Sequence, residues 1–201
     1  MTKTVDFYYD YISPASYLAW TQLVDICKRS NATINYKPML LGGVFKAHTS
    51  NSPVIIPAKW EWMKADFIRY AKYYGIRYQL NPHFIFSTIN AMRGAIWALE
   101  NNQIEAYNQA LFTAAWANGK DISDKNVLID ILDEAGINSA SALKAMAHPE
   151  MKSALIKSTE KAVTLGIFGA PSMVVDGDMF FGQDRLIWVE RALSKYLRPN
   201  F

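Results

Sequence analysis

The sequence predicts an α/β fold whose sheet is built from the two ends of the chain. Three observations predict it. Near the N-terminus, strand, helix and strand patterns follow one another; near the C-terminus the order is strand, strand, helix; and residues 46–165 between them read as loop and helix. A strand–helix–strand unit implies parallel pairing and a right-handed crossover. The chain thus reads βαβ…ββα with a large helical insertion.

The first strand is Val5 to Tyr9, a short apolar, aromatic run. The helix after it carries Tyr17, Trp20, Leu23, Val24 and Cys27 at the i, i+3, i+4, i+7 spacing of one apolar face. The junction is Asp10-Tyr11-Ile12-Ser13-Pro14-Ala15-Ser16-Tyr17. Serine is a favoured N-cap, and proline suits the first helical position because its missing N–H has no partner there. Ser13 is therefore predicted at a helix N-terminus, where free N–H groups and the helix dipole favour negative charge. Capping alone explains most such serines; a second, distant stretch makes this one a site candidate.

Thr33 to Met39 is the second strand, with Ile34 and Tyr36 alternating against polar neighbours. Leu40 to Ala58 holds Gly42-Gly43, Pro53 and Pro57 and reads as a long loop. A helix is predicted over Lys59–Tyr74, with Trp60, Met63, Phe67, Tyr70, Ala71 and Tyr74 on one stripe and Gly75 as its stop. Lys59 in the first turn opposes the dipole, as a solvated lysine or as one held there to meet an anion. Asn81-Pro82-His83-Phe84 is a turn, and further helices are predicted over Thr88–Asn101, Ile104–Ala117, Asp124–Ala135, Ala140–Ala147 and Pro149–Leu165.

In the last segment two apolar runs flank Asp176-Gly177, a hairpin signal, and Gln183-Asp184 leads into a helix with Leu186, Val189, Leu193 and Tyr196 on one face. Asp184 is placed to cap that helix. Pro171, after a small residue and before a strand, is a candidate cis proline. Together these elements predict a thioredoxin-like fold, with residues 1–45 and 166–201 forming the thioredoxin-like part and 46–165 the helical insertion. Such a fold brings the start of the first helix beside the Pro171 loop.

Composition narrows the function. With 51% hydrophobic and 19% charged residues the chain is an ordinary globular one. Its net charge of +3 is too small to argue for nucleic acid. The single cysteine, Cys27, excludes an intramolecular disulfide and a four-cysteine metal site, and its place on an apolar face predicts a buried side chain. His83 reads as a loop histidine, and His48 and His148 have no partners suggesting a metal. No 18-residue apolar run predicts a membrane span, and no signal or transit peptide is evident, so a cytoplasmic protein is expected.

Seven segments carry a resemblance: Tyr9 to Tyr17, Leu40-Leu41-Gly42-Gly43-Val44-Phe45-Lys46, Pro57-Ala58-Lys59, Asn81 to Phe84, Met92-Arg93-Gly94-Ala95, Phe168-Gly169-Ala170-Pro171 and Phe181-Gly182-Gln183-Asp184-Arg185-Leu186. In order and over nearly the whole chain, they resemble the 2-hydroxychromene-2-carboxylate isomerase family, kin to kappa-class glutathione transferases and, more distantly, to DsbA-type oxidoreductases. The resemblance implies glutathione as cofactor, a small aromatic substrate and a homodimer. It implies Ser13 as the catalytic residue that stabilises the glutathione thiolate. Ser13-Pro14-Ala15-Ser16 stands where a redox relative has Cys-x-x-Cys, so dithiol exchange is ruled out. By the same resemblance Ala170 and Pro171 pair with the cysteinyl part, Phe181, Gly182, Gln183 and Asp184 form the motif at the γ-glutamyl end, and Asn51 and Lys59 meet polar and carboxylate groups. Lys46, Asn51, His83 and Phe84 fall in the region of the aromatic substrate. Ser87 departs from the pattern, standing where an asparagine is usual. Three functions stay open: an isomerase, a kappa-like transferase that keeps the conjugate, and a non-catalytic thioredoxin-fold binding domain.

Overall fold

The computed structural model describes residues 2–194. Strand β1 (Lys3–Tyr9) pairs in parallel with β2 (Ala32–Pro38), and helix α1 (Pro14–Arg29) connects them. On its other side β1 pairs antiparallel with β3 (Ser172–Val175), which pairs with β4 (Asp178–Phe181) through the Asp176-Gly177 turn. The sheet order is β2-β1-β3-β4. Within β1, Phe7 is in register with Tyr36 on one neighbour and Met173 on the other. The sheet thus joins segments from the two ends of the chain, as the sequence pattern predicts.

The stretch predicted as a loop contains a helix, α2 (Leu41–Ala47), followed by a single 3₁₀ turn, Pro53–Ile55. Gly42-Gly43 and the lack of a capping side chain at Leu40 hide this helix in the sequence. Its first N–H is capped from a distance: Leu41 N–H donates to Asp10 Oδ2 at 2.9 Å. The boundary drawn at residues 45/46 falls inside this helix. Helix α3 (Pro57–Tyr74) starts two residues earlier than predicted because Pro57 takes its first position, and Gly75 ends it at φ 66°.

The remaining helices are α4 (Ile89–Glu100), α5 (Ile104–Phe112), α6 (Lys125–Glu134), α7 (Ser139–Ala147), α8 (Pro149–Thr164) and α9 (Leu186–Leu193). After α5 the chain continues as a π turn, Thr113–Ala117, which sets the fully buried Trp116 inward. The helical segment shares one continuous core with the sheet: Tyr9 and Tyr11 pack with Phe112 of α5, and Trp20 of α1 stacks on the same ring. Leu186, Val189 and Leu193 face this core from α9; Tyr196 lies outside the described residues. Among the described residues no helix is long and apolar enough to cross a membrane.

Candidate active site

Ser13 sits at the N-cap of α1 in extended conformation, φ −92° and ψ 111°, with Pro14 at the first helical position. Its Oγ accepts from Ser16 N–H at 3.1 Å and donates to the Ala170 carbonyl at 3.1 Å. The Ala170–Pro171 peptide is cis. Ser13 is 6% exposed, and the first turn of α1 carries no acidic side chain to oppose a bound anion. Ser16 Oγ, one turn on, is fully buried without a partner. A hydroxyl donor over a helix N-terminus, beside the backbone that precedes a cis proline, suits a thiolate, the species such a terminus favours.

The chain runs on from this pair into the second motif. Gly182 N–H donates to the Pro171 carbonyl at 3.0 Å. Gly182 has φ 101°, and a Cβ there would stand 2.5 Å from Asp184 Oδ1, so the Gly182-to-Asp184 bend requires glycine. Gln183 is buried, and its carbonyl accepts from the Tyr74 hydroxyl at 3.0 Å. Asp184 does not cap the last helix. A 3₁₀ turn, Gln183–Arg185, intervenes, and the Asp184 carboxylate pairs with Arg185 at 2.7 Å. A groove of about 800 Å³ opens beside Gln183 and Asp184, walled by Arg29, Arg69, Tyr70 and Tyr73. Phe181 is 44% exposed and packs on the equally exposed Phe168 at 4.7 Å between ring centroids, next to Gly169.

Lys46 lies exposed in the last turn of α2, Asn51 exposed in the loop after it, and Lys59 exposed in the first turn of α3. Phe84 stacks on Trp60 at 5.0 Å, which brings the turn at residues 81–84 against the start of α3. Asn81 organises that turn: its side-chain oxygen accepts from His83 N–H, and its amide donates to the carbonyls of Ala115 and Lys120. His83 faces elsewhere. Its Nδ1 is 4.0 Å from Asp121, on a groove with Lys120, Asp124 and Asp130 that shares no lining residue with the Ser13 cluster. Hydrogen bonds and chain continuity therefore join Ser13, Ala170, Pro171, Gly182 and Gln183 into one cluster, while Phe84 stacks on Trp60, the residue after Lys59 in the first turn of α3.

The structure adds residues with no assigned role in the sequence. Asp10 is 2% exposed, and burial holds its carboxyl above the usual range despite three hydrogen bonds. Trp116 Nε1–H donates to the Tyr11 carbonyl at 2.8 Å. The hydroxyls of Tyr9 and Tyr11 donate to Asn108 Oδ1 at 2.8 and 2.6 Å. His48 Nε2 bonds the Ile167 carbonyl at 2.9 Å, linking the end of α2 to the loop that leads into Ala170.

The profile of the DSBA-like thioredoxin domain matches residues 4–194. A 2-hydroxychromene-2-carboxylate isomerase of Sphingobium xenophagum is 33% identical over 196 residues, covering 96% of this chain and 99% of that protein. The chain belongs to the DSBA-like thioredoxin domain family and, within it, to the 2-hydroxychromene-2-carboxylate isomerase family. Glutathione S-transferase kappa 1 of Homo sapiens is 27% identical over 218 residues, covering 99% of this chain and 95% of its own. A solved 2-hydroxychromene-2-carboxylate isomerase structure superposes with a TM-score of 0.87 at 26% identity, covering 94% of each chain. The family resemblance read from the seven motifs is thereby borne out.

Proposed function

We propose that the protein is a glutathione-dependent isomerase acting on 2-hydroxychromene-2-carboxylate and interconverting it with trans-o-hydroxybenzylidenepyruvate. The observation that carries this reading is the Ser13 hydroxyl at the α1 N-terminus, 3.1 Å from the Ala170 carbonyl. Glutathione, when bound, supplies a thiolate that acts as a reversible nucleophile. Ser13 stabilises that thiolate with its O–H, aided by the α1 dipole. The backbone at Ala170, next to Pro171, pairs with the cysteinyl part as an added strand. Gln183 and Asp184, framed by Phe181 and Gly182, hold the γ-glutamyl end, where the Asp184 carboxylate suits an ammonium. Asn51 and Lys59 meet the opposite polar end. Lys46 is the cation for the substrate carboxylate, and Phe84 the ring against its aromatic part. A cytoplasmic homodimer is part of the same proposal, and the family resemblance supports the dimer.

The test is ultraviolet absorbance at the thiolate band on adding glutathione, from about pH 5 to 9, for wild type and Ser13→Ala. A band well below the free-thiol pKa, lost in the variant, supports the reading; its absence in wild type overturns it. Product analysis with 2-hydroxychromene-2-carboxylate then decides the reaction. The similarity to the human kappa transferase favours a second reading, conjugation of an electrophile. An isomerase returns glutathione at every turnover, whereas a transferase consumes it.

A further inference from the structure

Asp10 is a buried carboxylate that three segments share. Its Oδ1 accepts from Ile12 N–H at 3.1 Å and from the Thr88 hydroxyl at 2.7 Å, and its Oδ2 accepts from Leu41 N–H at 2.9 Å. Its own carbonyl accepts from Ser13 N–H at 3.1 Å. Neither α2 nor α4 has a capping bond from its own N-cap side chain. The Leu40 side chain has no polar atom to offer, and the Thr88 hydroxyl points at Asp10 as a donor. The same carboxylate therefore starts α2, fixes the residue before α4 and closes the loop that presents Ser13. Helix α2 leads to Lys46 and Asn51; the segment entering α4 begins at Phe84.

We propose that Asp10 is a positioning residue, which locks the thiolate-stabilising Ser13 loop and the substrate-side segment ending at Thr88 into one frame. This rests on the glutathione reading above. Hydrogen bonds alone hold the Asp10 charge. Its charge in turn raises the neighbouring phenols of Tyr9 and Tyr11, which burial already keeps neutral.

The role can be separated from simple electrostatics because the two predict opposite signs. A carboxylate near a thiolate disfavours the second charge, so removing it in Asp10→Asn, with nothing else changed, lowers the thiol pKa. Positioning predicts the reverse. The amide nitrogen confronts donors, Ser13 and the α1 N–H groups lose alignment, and the thiol pKa rises.

The experiment titrates the thiolate band of glutathione bound to wild type, Asp10→Asn and Thr88→Val, with steady-state kinetics on 2-hydroxychromene-2-carboxylate. For Asp10→Asn we expect the midpoint to move up, leaving about tenfold less thiolate at neutral pH. For Thr88→Val, which keeps the charge, we expect the wild-type thiolate titration and a severalfold higher KM for the aromatic substrate. A lowered or unmoved midpoint in folded Asp10→Asn overturns the proposal. If that variant does not fold, Thr88→Val decides, and an unchanged KM overturns it. A missing band in wild type overturns the glutathione reading and this inference with it, whereas a wild-type band with indifferent variants overturns this inference alone.

Discussion

Ser13 donates its hydroxyl to the carbonyl of Ala170 at 3.1 Å, 157 positions away in sequence. The bond closes the α1 N-terminus against the cis-proline loop and leaves the hydroxyl with a partner it can exchange for a sulfur. Ser13→Ala removes the cap as well as the donor. We expect loss of turnover and of the low-pH thiolate band, with a stability cost of about 1 kcal/mol for the missing cap. Chemical denaturation alongside the absorbance titration separates the two effects.

The α1 helix holds one site that favours a thiolate and another that opposes it. Cys27, on the apolar face, has its thiol pushed up to about 11 by burial. A cysteine at position 13 would meet the free N–H groups instead. Ser13→Cys should titrate at roughly 3.5–7.5, the range of cysteines in such places, without any glutathione present. Cys27 stays protonated throughout that window, so one absorbance titration reads the new thiol alone. A midpoint near 8.5 would show that the terminus exerts no such field.

Much of this was legible in the sequence, and what was not has a common cause. Ser13-Pro14 and Asp176-Gly177 act through their immediate neighbours, so the cap and the hairpin turn could be read locally. Helix α2 could not, because its cap comes from Asp10, 31 positions earlier. Nor could the support beneath Ser13. Tyr11 reaches Asn108 of α5 and its carbonyl reaches Trp116 of the π turn, contacts made only once the helical segment packs on the sheet. Asp184, expected as a cap, lies inside the 3₁₀ turn Gln183–Arg185, which leaves Arg185 at the N-cap of α9.

Trp116 tests that support directly. Its indole N–H meets the Tyr11 carbonyl in the core, and its ring packs against Phe84, Phe86 and Tyr78. Trp116→Phe keeps a ring but leaves a buried carbonyl without its donor. We expect a loss of about 1–3 kcal/mol in denaturant unfolding, together with a higher KM as Phe84 resettles. Unchanged unfolding would mean that the carbonyl finds another donor.

Gly94, in the Met92-Arg93-Gly94-Ala95 motif, is explained by packing. A Cβ there would stand 2.1 Å from the Tyr107 hydroxyl and 2.4 Å from Met146 Cε. That hydroxyl donates to the Ala91 carbonyl at 2.9 Å inside the core, so it cannot yield without breaking a buried bond. Gly94→Ala should therefore destabilise by about 1–3 kcal/mol, although alanine is the better helix former by about 1 kcal/mol. Thermal unfolding checks the sign, and a stabilised variant would show that α4 and α5 separate more readily than their packing implies.

The pH dependence of stability carries the signature of Asp10. Its folded-state pKa is raised, with burial the largest cause. As pH climbs past the unfolded carboxylate value near 4, the unfolded chain ionises first and is stabilised by a step the folded chain does not yet take. The Asp10 contribution therefore favours folding in acid and weakens as pH rises from the unfolded value through the raised folded one. Asp121 and Glu190 act in the opposite sense, because hydrogen bonds from Ser123 and Arg29 hold them below their ordinary values. Comparing wild type with Asp10→Asn cancels those two. The wild-type advantage should be larger near pH 4 than near pH 7, read as the difference in denaturant midpoints at each pH. An advantage that grows toward neutral pH would mean that the three hydrogen bonds outweigh the burial of the charge.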